Sequence, residues 1–188
     1  MKAVRKTRIG LFGGSFDPPH KGHVACAEAA LALGHLDALW VLPTDKHPYG
    51  KKSAFFSYRV SMCERAFETL ERVSVLRFEA NNLSGHTIEV VENLVAGCPN
   101  AEFVLIVGTD CIQDCQNWHR WSDLEKMVEV LEIPREGFSS SSTLPEVSST
   151  QVRELVASGD ETAWRKLVPH EVAEIILNRN LYGPPEKG

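Results

Sequence analysis

Short apolar runs alternate along this chain with longer stretches whose apolar positions recur at helical spacing. The first kind reads as buried strand, the second as amphipathic helix. A strand is expected at 7–12, with Ile9-Gly10-Leu11-Phe12 buried, stopping at Gly13-Gly14. After Ser15-Phe16-Asp17-Pro18-Pro19, an alanine-rich helix is expected from His20 to about Leu33, ended by Gly34, with Val24, Ala27 and Leu31 facing inward. Further strands are expected at 37–42, closed by Pro43 and with Trp40 as core, at 73–78, at 102–107 and at 127–133, plus a short one ending at Val147. Helices are expected at 57–70, with Val60, Cys63, Phe67 and Leu70 inward, at 84–96, from Ser148, and at 168–183. The alternation predicts an α/β fold: a single Rossmann-like domain, its sheet mainly parallel and flanked by helices.

The first turn carries the chemistry. Glycines let a backbone approach a ligand closely. The first N–H groups of a helix have no intrahelical partners, and the dipole there favours negative charge. His20 and His23, three apart, share one face of that opening turn. Strand, glycine turn and helix start therefore form an anion trap suited to a polyphosphate. The GxxxxGK[ST] pattern of a P-loop is absent, as are the GxGxxG dinucleotide fingerprint and the HExxH zinc motif. A second trap is expected where Ser148-Ser149-Thr150 start a helix and Arg153 projects from its first turn. An arginine fork suits phosphate oxygens. Between the traps, Gly108-Thr109-Asp110 follows the central strand, where a carboxylate can face a ribose hydroxyl, hold a hydrated metal or cap the next helix. The polar loop 44–53 carries Lys46, Lys51 and Lys52 on the ligand side of such a sheet.

Composition narrows the class. At 188 residues the chain suits one domain, 1–188. A net charge of −5 supplies no basic field for a nucleic-acid partner. No apolar run reaches the ~20 residues of a membrane span, and the N-terminus lacks the apolar core of a signal peptide. Five scattered cysteines, Cys111 and Cys115 among them, read as thiols of a cytoplasmic protein. Monomer and oligomer are both compatible with this sequence. The Ser-rich run 137–143 reads as a loop.

GGSFDPPHKGH, residues 13–23, resembles the G-G-x-F-D-P-x-H-x-G-H signature of nucleotidyltransferases, and SSTQVR, residues 148–153, resembles their S-S-T-x-[IV]-R motif. Over residues 8–183 the chain is similar to the bacterial nicotinate-nucleotide adenylyltransferases. The resemblance implies transfer of the adenylyl group of ATP to nicotinate mononucleotide, with Mg²⁺ bound mainly through phosphates and water and Asp110 as an available carboxylate. It implies catalytic roles for His20, His23, Lys51 and Arg153. It implies ATP contacts at Gly13, Gly14, Ser15, Phe16, His20, His23, Gly108, Asp110, Ser148, Ser149 and Arg153. Ser15, Thr87 and Trp118 would meet the nicotinate nucleotide, Trp118 against the pyridine ring and Trp121 in a structural role. Arg59 also has a counterpart in the family, which leaves it open between site and surface. His47-Pro48-Tyr49-Gly50-Lys51 stands where the family carries Pro-Pro-His-Lys, and His86 replaces its usual aromatic. Transfer to nicotinamide mononucleotide or phosphopantetheine, and a catalytically silent nucleotide-binding domain, are the competing readings.

Overall fold

The computed structural model describes residues 5–45, 53–78, 82, 84–134 and 146–184, without the side chains of Asp110, Cys111 and Gln113. Five strands make one parallel sheet: β1 (Thr7–Gly14), β2 (Ala38–Pro43), β3 (Val73–Val75), β4 (Ala101–Gly108) and β5 (Glu129–Ile133). Their order across the sheet is β3-β2-β1-β4-β5. The helices are α1 (Lys21–Leu33), α2 (Phe56–Ala66), α3 (Thr87–Gly97), α4 (Thr109–Cys115), α5 (Trp121–Met127), α6 (Ser149–Ser158), α7 (Glu161–Arg165) and α8 (His170–Asn178). This is the Rossmann-like, helix-covered sheet expected from the alternation.

The central strands are buried on both faces, which explains their uninterrupted apolar runs. In β4, Val104 and Ile106 face one apolar layer while Phe103, Leu105 and Val107 face the other. The first layer is completed by Ala27 of α1, Met62 and Cys63 of α2, Val152 of α6, Trp164 of α7 and Val172 of α8. The second draws on Ile88 and Val91 of α3, Cys115 of α4 and Leu124 of α5. Trp40 packs against the second layer, its ring 5.8 Å from that of Phe103, as core.

Several boundaries differ from the sequence reading. β1 continues through Gly13 and Gly14, which pair with Leu42 and Pro43 rather than turning away. α2 stops at Ala66, with Phe67 closing its last turn through a backbone bond to Cys63. β3 is only three residues long, because its partner β2 pairs no further than Val75. Ser84 does not open α3; it donates to Asn82 and accepts from the His86 N–H, and the helix starts at Thr87. Val147 is buried but lies outside any strand. The final segment ends its helix at Asn178, and α7 is a further helix preceding it. The lysine loop over 46–52 and the Ser-rich run fall outside the described residues.

Candidate active site

The strand order reverses between β1 and β4, and ligands of open α/β sheets bind beyond the C-terminal strand ends at that point. β1 ends there in Gly13-Gly14 and β4 in Gly108. A Cβ on Gly13 or Gly108 would meet nothing within 4 Å, so both backbones are open to a ligand's approach. At Gly14 a Cβ would lie 3.2 Å from the Phe16 ring, so glycine is what lets that ring pass.

Phe16 adopts a left-handed backbone, φ 46°, that a bulky residue seldom takes. Its ring is 1% exposed and packs edge-on against Phe12 and Phe67, at 5.4 and 6.1 Å. That burial offsets the strain and turns the chain toward α1. Asp17 is buried as well; its Oδ1 accepts from the Tyr182 hydroxyl at 2.7 Å and from the Ala54 N–H at 3.1 Å. Arg59, in the first turn of α2, is 1% exposed. It donates to the carbonyls of Ser15 and Thr44, both at 2.7 Å, and of Ala54 at 3.0 Å. Arg59 is thus an internal brace, where the sequence left it open between site and surface. The sequence holds one signal for this: Arg59 stands one helical turn before the inward Cys63.

His20 caps α1 in an extended conformation, and its ring stacks on His23 with centroids 3.7 Å apart and planes 27° apart. The His20 N–H donates to Nδ1 of His23 at 3.2 Å. That bond places the proton of a neutral His23 ring on Nε2, the atom from which it can donate to a ligand. The Phe16 ring, 4.9 Å from the His23 ring, limits its tilt.

The second trap is joined to the first. Ser148 caps α6 by accepting from the Gln151 N–H at 3.1 Å. Ser149 Oγ donates to the Pro18 carbonyl at 2.9 Å, and Arg153 Nη1 donates to the Asp17 carbonyl at 2.7 Å. The two motifs, far apart in sequence, therefore meet at one loop.

Across the sheet, Thr87 opens α3 and is half-buried. Trp118 lies in the turn between α4 and α5, Trp121 opens α5, and the two rings meet edge to face at 6.1 Å. An Arg120–Glu92 ion pair at 2.9 Å and a stack of His119 on His86 at 4.4 Å hold that turn against α3. Asp110 occupies the first turn of α4, and the N-cap is Gly108 rather than Asp110. Its side chain, like those of Lys51 and Cys111, lies outside the described residues. Among the described residues no three His, Cys, Asp or Glu side chains group as metal ligands, and no helix is long and apolar enough to cross a membrane.

Comparison with known proteins agrees with this geometry. The cytidylyltransferase-like family model matches residues 11–155. A probable nicotinate-nucleotide adenylyltransferase of Anaeromyxobacter sp. strain K is 37% identical, over 93% of this chain and 96% of its own length. One of Bacillus pumilus is 32% identical over 93% and 98%. In fold, the chain is similar to the Plasmodium falciparum nicotinic acid mononucleotide adenylyltransferase complexed with NaAD, with a TM-score of 0.79, 19% identity and coverage of 94% and 97%. The chain therefore belongs to the cytidylyltransferase-like family, among the nicotinate-nucleotide adenylyltransferases.

Proposed function

We propose that the protein transfers the adenylyl group of ATP to nicotinate mononucleotide, giving deamido-NAD and pyrophosphate in NAD biosynthesis. The observation that carries this reading is the joining of the two traps, through Arg153 and Ser149, at the loop that follows the glycine end of β1. The relatives supply the acceptor. In this reading the chain is one nucleotidyltransferase domain with its core over about residues 8–183.

An oxygen of the acceptor phosphate attacks the α-phosphorus of ATP in line. The new P–O bond forms as the bond to the β-phosphate oxygen breaks, and pyrophosphate leaves with the electron pair. A phosphate monoester has its second pKa near ~6, so the nucleophile is largely dianionic at neutral pH and needs no strong base. Catalysis is then positioning and charge stabilisation. His20 and His23 donate to the α-phosphoryl and neighbouring oxygens. Lys51 and Arg153 hold the departing pyrophosphate. Ser148, Ser149 and the backbone at Gly13, Gly14, Ser15 and Phe16 position it, while Gly108 leaves room for the nucleotide. Ser15, Thr87 and Trp118 receive the nicotinate nucleotide. A divalent cation would be carried mainly on phosphate oxygens and water, with Asp110, in the first turn of α4, as an available carboxylate. Such a cation, Mg²⁺ in this reading, would offset phosphate charge.

The test is pyrophosphate release from ATP and Mg²⁺ with nicotinate mononucleotide, nicotinamide mononucleotide or phosphopantetheine, with products identified by mass. Turnover with the nicotinate acceptor alone is expected. Preference for another acceptor overturns the pyridine pocket, and ATP binding without turnover overturns the enzyme.

A further inference from the structure

The loop between β1 and α1 is held from three directions, and one of them is the far end of the chain. Tyr182 lies beyond α8 and donates its hydroxyl to Asp17 across 165 residues of sequence. Its backbone is left-handed, φ 62°, a strained position for an aromatic residue. Asp17 lies between left-handed Phe16 and the histidine that caps α1.

A buried carboxylate is costly unless its oxygens are hydrogen-bonded. At 2% exposed, Asp17 has the same oxygen bonded to Tyr182 and to the Ala54 N–H, while its backbone carbonyl takes Arg153. A simple core contact requires neither the charge nor the strain. Both become intelligible if the loop must be fixed in three dimensions, because the chain enters α1 at His20 with only Pro18 and Pro19 between. Burial, and next the Asp17 carboxylate, push the Tyr182 phenol up, so it remains a donor at the pH of any activity assay.

We propose that Tyr182 is a positioning residue of the transfer site: acting through Asp17, its hydroxyl fixes the loop that aims His20 and His23. This rests on the adenylyl-transfer reading of the site. Misplacement of a catalytic group by about 1 Å can cost on the order of 10²-fold in rate, so a smaller displacement is expected to cost about tenfold.

Tyr182→Phe keeps the ring and removes the bond. Its kcat is expected to fall ~10-fold with the KM for the acceptor unchanged, while the melting temperature drops modestly for the lost bond to a buried carboxylate. Combined with His23→Ala, the same change is expected to cost less than in the wild type, because one of the two groups it aims is gone. The histidine ring NMR signals of Tyr182→Phe give a readout independent of turnover: those of His20 and His23 shift while that of His119 stays. Unchanged kcat, an equal loss in the His23→Ala background, or unmoved His20 and His23 signals overturn the proposal. If the wild-type protein transfers to no acceptor, the functional reading fails, and the ring signals alone then decide whether Tyr182 positions the histidines.

Discussion

The two histidines divide their work by how they are held. His20 is 5% exposed and caps α1, so its place is set by the backbone. His23 is half-buried, with Nδ1 occupied by the His20 N–H and its ring confined by Phe16. A donor preset in this way gains most when charge develops on the phosphoryl group, since no reorganisation is required at that moment. His23→Ala is therefore expected to lower kcat by about 10²–10³ with little change in the KM for ATP. Steady-state pyrophosphate release measures this, and an unimpaired rate would remove His23 from the mechanism.

At the scale of elements, α2 shows where sequence reading succeeds and where it stops. Its inward face was legible from spacing: Val60 and Cys63 are buried as expected. The same periodicity could not show that Arg59 is buried too, because its partners are backbone carbonyls at Ser15, Thr44 and Ala54, and carbonyls have no signature in a sequence. The two phosphate motifs were legible because glycine turns and helix caps are local; the bonds joining them, Ser149 to Pro18 and Arg153 to Asp17, were not. Tyr182 read only as part of a closing helix, since a contact at that separation leaves no periodic trace. The brace at Arg59 is testable. Arg59→Lys keeps the charge, but a single ammonium cannot reach all the carbonyls the fork meets, those of Ser15, Thr44, Ala54 and Asp45, so a loss of about 1–3 kcal/mol is expected. It should appear as a lower denaturant midpoint at unchanged slope; an unchanged midpoint would mean that water replaces the lost donors.

Over the whole molecule, the two edges of the sheet are built for different tasks. At the N-terminal edge Arg8 ties β1 to Glu102 at 2.5 Å and to Glu129 at 2.7 Å, and its backbone N–H donates to Asp37 at 2.8 Å. That N–H bond chiefly, with the nearby Arg5 charge, holds the Asp37 carboxyl below its usual range, so its stabilising contribution is present at neutral pH and is lost on acidification below ~4. The opposite edge and the core beneath it carry groups shifted the other way. Burial pushes the Cys63 thiol up, and burial followed by the Asp17 carboxylate pushes up the Tyr182 phenol. Above pH ~8.5 an unfolded chain releases the cysteine proton, and above ~10 the tyrosine proton, while the folded protein retains both. The folded state then binds more protons than the unfolded one, so stability must fall as pH rises. Both contributions are complete below those values. Denaturant titrations from pH 7 to 11 should show the decline beginning with Cys63 and steepening with Tyr182. Cys63→Ala, although less stable throughout, should lack the first part of the slope, and Tyr182→Phe should lack the second. A Tyr182→Phe curve parallel to wild type above pH ~10 would mean that the phenol ionises as readily in the folded protein as outside it, and that Asp17 is not held as the structure shows.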